Sequence, residues 1–145
     1  MVSVKCLASG SAGNSYAVDD GKSVLLLEAG IRKRTILAGY MDLLMRVQGC
    51  LITHEHQDHA KAALGLPMAG IDVYASGGTF SALNAEKDRR NYRLHSIKAG
   101  EQFTLGTWTV LPWEAQHDAA EPLGFLLHSK ETRDKLIFAT DTYFI

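Results

Sequence analysis

The run His54-Glu55-His56-Gln57-Asp58-His59 constrains this chain more than any other feature. Four potential metal ligands, His54, His56, Asp58 and His59, fall within six residues, and half of the chain's six histidines are among them. The run follows Cys50-Leu51-Ile52-Thr53, a short apolar segment that reads as a buried strand. Alternate residues of an extended segment project to the same side, so His54 and His56 can face one point. Asp58 and His59 come after the chain has begun to turn and can face a second, adjacent point. Imidazole nitrogen and carboxylate oxygen suit Zn²⁺ or Mn²⁺, and no cysteine is available for a thiolate site. The competing reading, a solvated loop that happens to be rich in histidine, fits poorly with so many ligand types in one window.

The segments around the run read as a mixed α/β domain. Val2–Ala8 alternates loosely as a strand, and Ser9-Gly10-Ser11-Ala12-Gly13-Asn14-Ser15 breaks it as a small-residue loop before a second strand from Tyr16. Ser23–Glu28 is a continuous apolar run of the kind buried on both faces. Ile31–Val47 places Ile36, Leu37, Tyr40, Met41, Leu44 and Met45 at helical spacing, which predicts one amphipathic helix weakened by Gly39. Shorter helices are expected over Ala60–Leu66, stopping near Pro67, and over Thr79–Asp88, with a strand at Asp72–Ala75 between them. From Tyr92 the texture becomes β-rich, with strand-like runs near 93–97, 102–105, 107–111, 124–129 and 135–139. No linker or repeat divides the chain, so one domain over 1–145 is expected, with helices covering a substantial sheet. Leu136–Asp141 reads as a core strand delivering a carboxylate, and the sequence stops four residues later on Tyr143-Phe144-Ile145. That ending leads to the expectation of a shortened member of a longer family.

Composition narrows the partners. With 46% hydrophobic and 21% charged residues the chain is an ordinary globular sequence, and its net charge of −1 supplies no global field for nucleic acid or an anionic membrane. A local patch remains open to that use. No apolar stretch approaches a membrane span, and the N-terminus lacks signal-peptide order. Cys6 and Cys50 lie in apolar strand-like runs without CxxC spacing, so both are expected as buried, reduced thiols, in keeping with a cytoplasmic location.

The HxHxDH pattern after an apolar strand resembles the signature of the metallo-β-lactamase superfamily. Other landmarks occur in order. Leu25-Leu26-Leu27-Glu28-Ala29-Gly30 resembles the strand and glycine turn before the first helix. Gln116-His117-Asp118 resembles the segment with a third histidine, and Phe138-Ala139-Thr140-Asp141-Thr142 the strand with a bridging aspartate. The glycine-serine loop at 9–15, His117-Asp118-Ala119 and Pro122-Leu123-Gly124-Phe125 are similar to the YycJ/WalJ branch, which is associated with exonuclease action on DNA. The resemblance implies an α/β fold, the αββα sandwich, lacking its C-terminal part. It also implies a metal-dependent hydrolase with two divalent ions, zinc or manganese, and a hydroxide held between them. His54, His56 and His117 would bind the first ion, and Asp58 and His59 the second, with Asp141 bridging. Asp58 and Asp141 are thereby the catalytic carboxylates, and Asn14 and Ser15 would lie beside the metals and touch substrate. Glu28 stands where the family commonly has aspartate, supporting a ligand histidine from behind. The family supplies a last histidine beyond the bridging aspartate, so the second site is expected to be incomplete here.

Two basic runs, Arg32-Lys33-Arg34 at a helix start and Lys87–Arg93, read either as solvated surface or as footprints for a phosphate backbone. His95, His128, Trp108 and Trp113 read as packing or surface residues. Competing functions are hydrolysis of a small carboxyl ester, lactone or thioester by the same metals, and a non-catalytic remnant that binds metal or protein. In the remnant reading, surface exposed by truncation would favour self-association.

Overall fold

The computed structural model describes residues 1–85 and 91–140. Asp141, the terminal apolar residues, the last three residues of the expected helix Thr79–Asp88 and most of the basic run Lys87–Arg93 lie outside the described residues. Among those described, ten strands form two sheets. The first has the order β1 (Ser3–Gly10), β2 (Gly13–Asp19), β3 (Val24–Leu27), β4 (Val47–Leu51), β5 (Val73–Ser76), β6 (Leu94–Ile97). Its β1-β2-β3 portion is antiparallel and β3 to β6 run parallel. The second sheet is antiparallel, in the order β10 (Lys135–Phe138), β9 (Leu123–Ser129), β8 (Trp108–Glu114), β7 (Phe103–Leu105).

Period-two alternation explains how one strand serves two cores. In β3, Val24 and Leu26 face a layer formed with Ile36, Tyr40, Ala63, Leu66 and Phe80. Leu25 and Leu27 face the second sheet, where they meet Trp108, Val110, Phe125 and Leu127. All four β3 residues are therefore buried, as a parallel strand covered on both faces requires. The described helices α1 (Lys33–Gly39), α2 (Gln57–Ala60) and α3 (Gly77–Ala82) cover the first sheet, giving a helix–sheet–sheet layering. Trp108 belongs to the inter-sheet core, its Nε1 donating to the Ser23 carbonyl at 2.9 Å.

Four expectations change. The single helix over Ile31–Val47 is instead α1, a turn at Tyr40, a short 3₁₀ segment Leu44–Arg46 and the start of β4. α1 ends at Gly39, where the Leu7 side chain of β1 packs so close that a Cβ would lie 2.5 Å from Leu7 Cδ1. With the helical phase lost, Met41 and Met45 are exposed rather than on an apolar face. The loop expected at 9–15 contracts to a two-residue hairpin, because β1 and β2 stay paired to Gly10 and Gly13. Cys6 is exposed, since β1 is the edge of its sheet, whereas Cys50 in central β4 is buried. Pro67 falls within the 3₁₀ segment Ala63–Ala69 rather than ending a helix, and the left-handed Gly70 stops it.

Candidate metal centre

The site lies beyond the carboxyl ends of the parallel strands β3 and β4, where connecting segments of an α/β sheet leave a crevice. After Leu27 the backbone of Glu28 enters the left-handed region at φ 70°. The next three amides then reach three different segments: Glu28 N–H donates to Leu51 O, Ala29 N–H to His59 O and Gly30 N–H to Asn14 O, all at 2.8–2.9 Å. Gly30 is pressed against the Asp58 carbonyl and the His59 amide so closely that any Cβ would overlap them. Gly13 is confined similarly by Gly30 O, 2.5 Å from where its Cβ would stand. These contacts clamp α2, with Asp58 and His59, to the end of β3 and to the β1–β2 hairpin.

His54, His56 and His117 converge, each offering a ring nitrogen, with all three atoms within 4.8 Å of one another. Their ring centroids are 4.6–5.0 Å apart and their planes cross at 71–79°, as three ligands arranged about one point. His117 arrives from 61 residues away, and its Nε2 lies 3.3 Å from His56 Nδ1. Two nitrogens bound at the usual zinc distance in a tetrahedral site are separated by about 3.3–3.4 Å, so this edge fits a divalent cation. Beside it, His59 Nε2 is 3.2 Å from Asp58 Oδ2, a similar spacing with a mixed nitrogen–oxygen donor set. A second group of three, Glu28, His54 and His59, is fully buried.

Behind the histidines sits an anchoring device. Glu28, 1% exposed, accepts from Thr53 N–H through Oε1 and from the Thr53 hydroxyl through Oε2, both at 2.8 Å. His59 Nδ1 donates to the same Oε2. The Thr53 hydroxyl has one proton, and Glu28 takes it. Thr53 Oγ1 can then only accept from His54 Nδ1, 2.8 Å away. Both histidines are thus held with the proton on Nδ1 and the Nε2 lone pair facing the site, by way of one carboxylate. Burial holds the Glu28 carboxyl above the usual carboxylate range, against the hydrogen bonds from His59 and Thr53 that pull it down.

The loop carrying His117 is pinned at several points. Glu55 Oε2 accepts from Ala120 N–H at 2.9 Å, Glu121 Oε1 accepts from Gly78 N–H at 2.8 Å, and Ser76 Oγ donates to Glu121 O at 2.7 Å. Leu123 N–H continues the attachment to Thr53 O. Thr53, Glu55 and Glu121 carry no ligand signal of their own in the sequence. The position of Thr53, a polar residue ending an apolar strand just before His54, is the one hint available.

Asn14 and Ser15 occupy different situations. Asn14 Nδ2 donates to Gly10 O and Asp58 O at 2.9 and 3.0 Å, which ties the hairpin to α2. Ser15 is completely buried, with its Oγ 2.9 Å from Tyr40 Oη, and does not border an open cleft. A cleft of about 420 Å³ runs past Ser9, Ser11, Asn14, Asp58, His59 and Thr140. A second cleft of about 400 Å³ adjoins His117 along 114–123. Asp118 is exposed beside His117, and His95 lies elsewhere, stacked on Tyr74 and 2.8 Å from Asp72 Oδ2.

Residues 26–145 match the family described as the β-lactamase superfamily domain. The chain is 33% identical over 149 residues to exodeoxyribonuclease YycJ of Bacillus anthracis, covering 96% of this chain and 54% of that protein. It is 30% identical over 146 residues to exodeoxyribonuclease WalJ of Streptococcus pneumoniae, with the same 96% and 54% coverage. The chain therefore spans about half the length of the curated relatives it matches. A metallo-β-lactamase from Cronobacter sakazakii superposes with a TM-score of 0.75 at 16% identity, over 94% of this chain and 60% of that one, a likeness of fold.

Proposed function

This chain belongs to the β-lactamase superfamily domain family, and from that premise we propose that it acts as a metal-dependent phosphodiesterase whose substrate is DNA. The observation that carries the reading is the convergence of His54, His56 and His117 at cation-ligand spacing in a chain similar to two exodeoxyribonucleases. His54, His56 and His117 would hold one divalent cation. Asp58 and His59 would hold a second, with Asp141 assigned as the shared ligand by resemblance alone. Zinc is the first candidate for this nitrogen-rich set, and manganese the alternative. When bound, the cations supply Lewis-acid activation of water and stabilise charge on the leaving oxygen.

The protein's own part is to hold its donors ready. Glu28 and Thr53 set the tautomers of His54 and His59, so neither ring needs to shed or move a proton before its Nε2 serves as a ligand. Gly30 and Asn14 hold Asp58, and Glu55 with Glu121 holds the His117 loop. Asn14 therefore serves as a brace for the site as well as a wall of its cleft. A cytoplasmic setting belongs to the same reading, since both the DNA substrate and two free thiols suit it.

The test is release of nucleotides from linear DNA by the full 145-residue chain with added Mn²⁺ or Zn²⁺, before and after His56→Ala. Metal-dependent release that is lost in the variant and abolished by EDTA is expected. Lactone or thioester turnover without any hydrolysis of DNA would overturn the phosphodiester reading. Absence of both bound metal and hydrolysis would leave the non-catalytic alternative.

A further inference from the structure

The metal centre has a cationic flank. Residues 29–41 contain Arg32, Lys33 and Arg34 and no acidic residue, and residues 59–71 contain Lys61 and none either. The two segments lie together: Ala62 N–H donates to Ala29 O at 2.8 Å, and a Cβ on Gly65 would stand 3.4 Å from the Lys33 stem. Arg32, Arg34 and Lys61 are exposed, and Lys33 is half-buried. Among the described residues, the ion pairs formed by lysine and arginine join Lys5 to Asp42, Arg46 to Asp19 and Arg93 to Asp72, so none neutralises this group.

Its placement ties it to the site. Arg32 follows Ile31, which packs on Gly13 of the hairpin that borders the cleft, and Gly30, which abuts Asp58. Lys61 caps α2, three residues beyond Asp58. The cleft beside Asp58 and His59 is walled by hydroxyl, amide and backbone groups and contains no lysine or arginine in its described lining. The arrangement does not serve the helix itself. Arg32 is the N-cap of α1 and Lys33 and Arg34 lie in its first turn, where the helix dipole repels positive charge and no acidic residue offsets it.

We propose that Arg32, Lys33, Arg34 and Lys61 form a docking surface for the sugar-phosphate backbone of single-stranded DNA, holding the strand while its end lies in the metal centre. The inference rests on the phosphodiesterase reading for its choice of partner. The chain's net charge of −1 makes the local concentration the attractive element, rather than a general field. Lys33 contributes charge from a stem partly packed on Gly65, so the exposed three are the residues to change.

The test compares two triple variants of the full chain with equal loss of charge. The first is Arg32→Gln/Arg34→Gln/Lys61→Gln. The second, Lys130→Gln/Arg133→Gln/Lys135→Gln, alters the β9–β10 connection and the start of β10, where Glu131 and Asp134 intersperse the cations. Binding of a fluorescent 20-nucleotide single strand is read by anisotropy in EDTA, without cleavage, over a range of salt. Each phosphate contact contributes a slope of about −0.7 in log affinity against log salt and about fivefold in affinity at 0.1 M. The first variant is therefore expected to weaken binding by up to about 100-fold and flatten the slope by about 2, with the second near wild type. Equal weakening by both variants, an unchanged slope in the first, or failure of the wild-type chain to bind DNA would overturn the proposal. Patch-dependent binding to phosphatidylglycerol vesicles without binding to DNA would overturn it as well. Hydrolysis of bis(4-nitrophenyl) phosphate with Mn²⁺, which needs no polymer backbone, is read in parallel. Its absence in wild type counts against the phosphodiesterase reading and leaves the docking result standing.

Discussion

Thr53→Val removes one hydroxyl from the anchor behind the histidines and nearly preserves shape. In the wild type that hydroxyl donates to Glu28 Oε2 and accepts from His54 Nδ1, both at 2.8 Å, in a residue 1% exposed. The variant deprives a buried carboxylate of one donor and the His54 Nδ1 proton of this acceptor. A hydrogen bond to a charged group contributes about 1.5–3 kcal/mol, and a buried donor deprived of its acceptor costs about 1–3 kcal/mol. The fold still keeps the Thr53 amide and His59 on Glu28, so a net loss of about 2–4 kcal/mol is expected. With the Thr53 contact to its Nδ1 gone, His54 becomes a poorer ligand, and cation affinity should fall about 10–100-fold. Thr53→Ser is the matched control, since it keeps the hydroxyl and loses a methyl, at a cost of about 1 kcal/mol. Urea denaturation of metal-free protein measures the first quantity, and competition with a chromogenic chelator measures the second. Cation affinity within twofold of wild type in Thr53→Val, or an equal loss in Thr53→Ser, would refute the reasoning.

Gly30→Ala forces a Cβ into the Asp58 carbonyl and His59 amide; destabilisation of about 1–3 kcal/mol is expected by urea denaturation, with weakened cation binding. Asp20 is held below the usual carboxylate range: burial raises it, but hydrogen bonds from Ser23, Thr107, Ser129 and Lys22 outweigh that effect. Its contribution is thus present above its unfolded value and lost as pH falls through the lower folded one. Urea midpoints between pH 5 and 3 should fall less steeply in Asp20→Asn than in wild type, on top of an already lower stability; parallel curves would contradict the assignment. Cys6 is exposed, whereas burial pushes the Cys50 thiol up, so a disulfide reagent should modify one thiol rapidly in native protein and the second only on unfolding.

Much of the layering was legible because it follows from local alternation. The buried run of β3, the strand before His54 and the β-rich second half all appear where their patterning predicts. The helix expected over Ile31–Val47 stops at Gly39, where Leu7 of the edge strand packs against it, a contact that local periodicity does not register. Burial of Cys6 failed for a related reason: an apolar strand has the same local pattern whether it lies inside a sheet or at its edge. The short hairpin at Ser11-Ala12 was obscured by small residues, since glycine and serine permit a long loop and a tight turn equally.

The ligand run was legible because its geometry is local: two histidines two residues apart on an extended segment share a side, whatever surrounds them. By itself the sequence determined the candidate ligand types, their spacing and the strand that delivers them. Tertiary structure decided how they are held. His117 meets His56 from 61 residues along the chain, and Glu28 reaches Thr53 and His59 because β3 and β4 lie parallel in register, Leu27 opposite Leu51. That register brings one carboxylate behind two candidate ligand histidines, and Gly30 against Asp58. Such contacts depend on strand order and close backbone approach over tens of residues, and local periodicity carries no information about either.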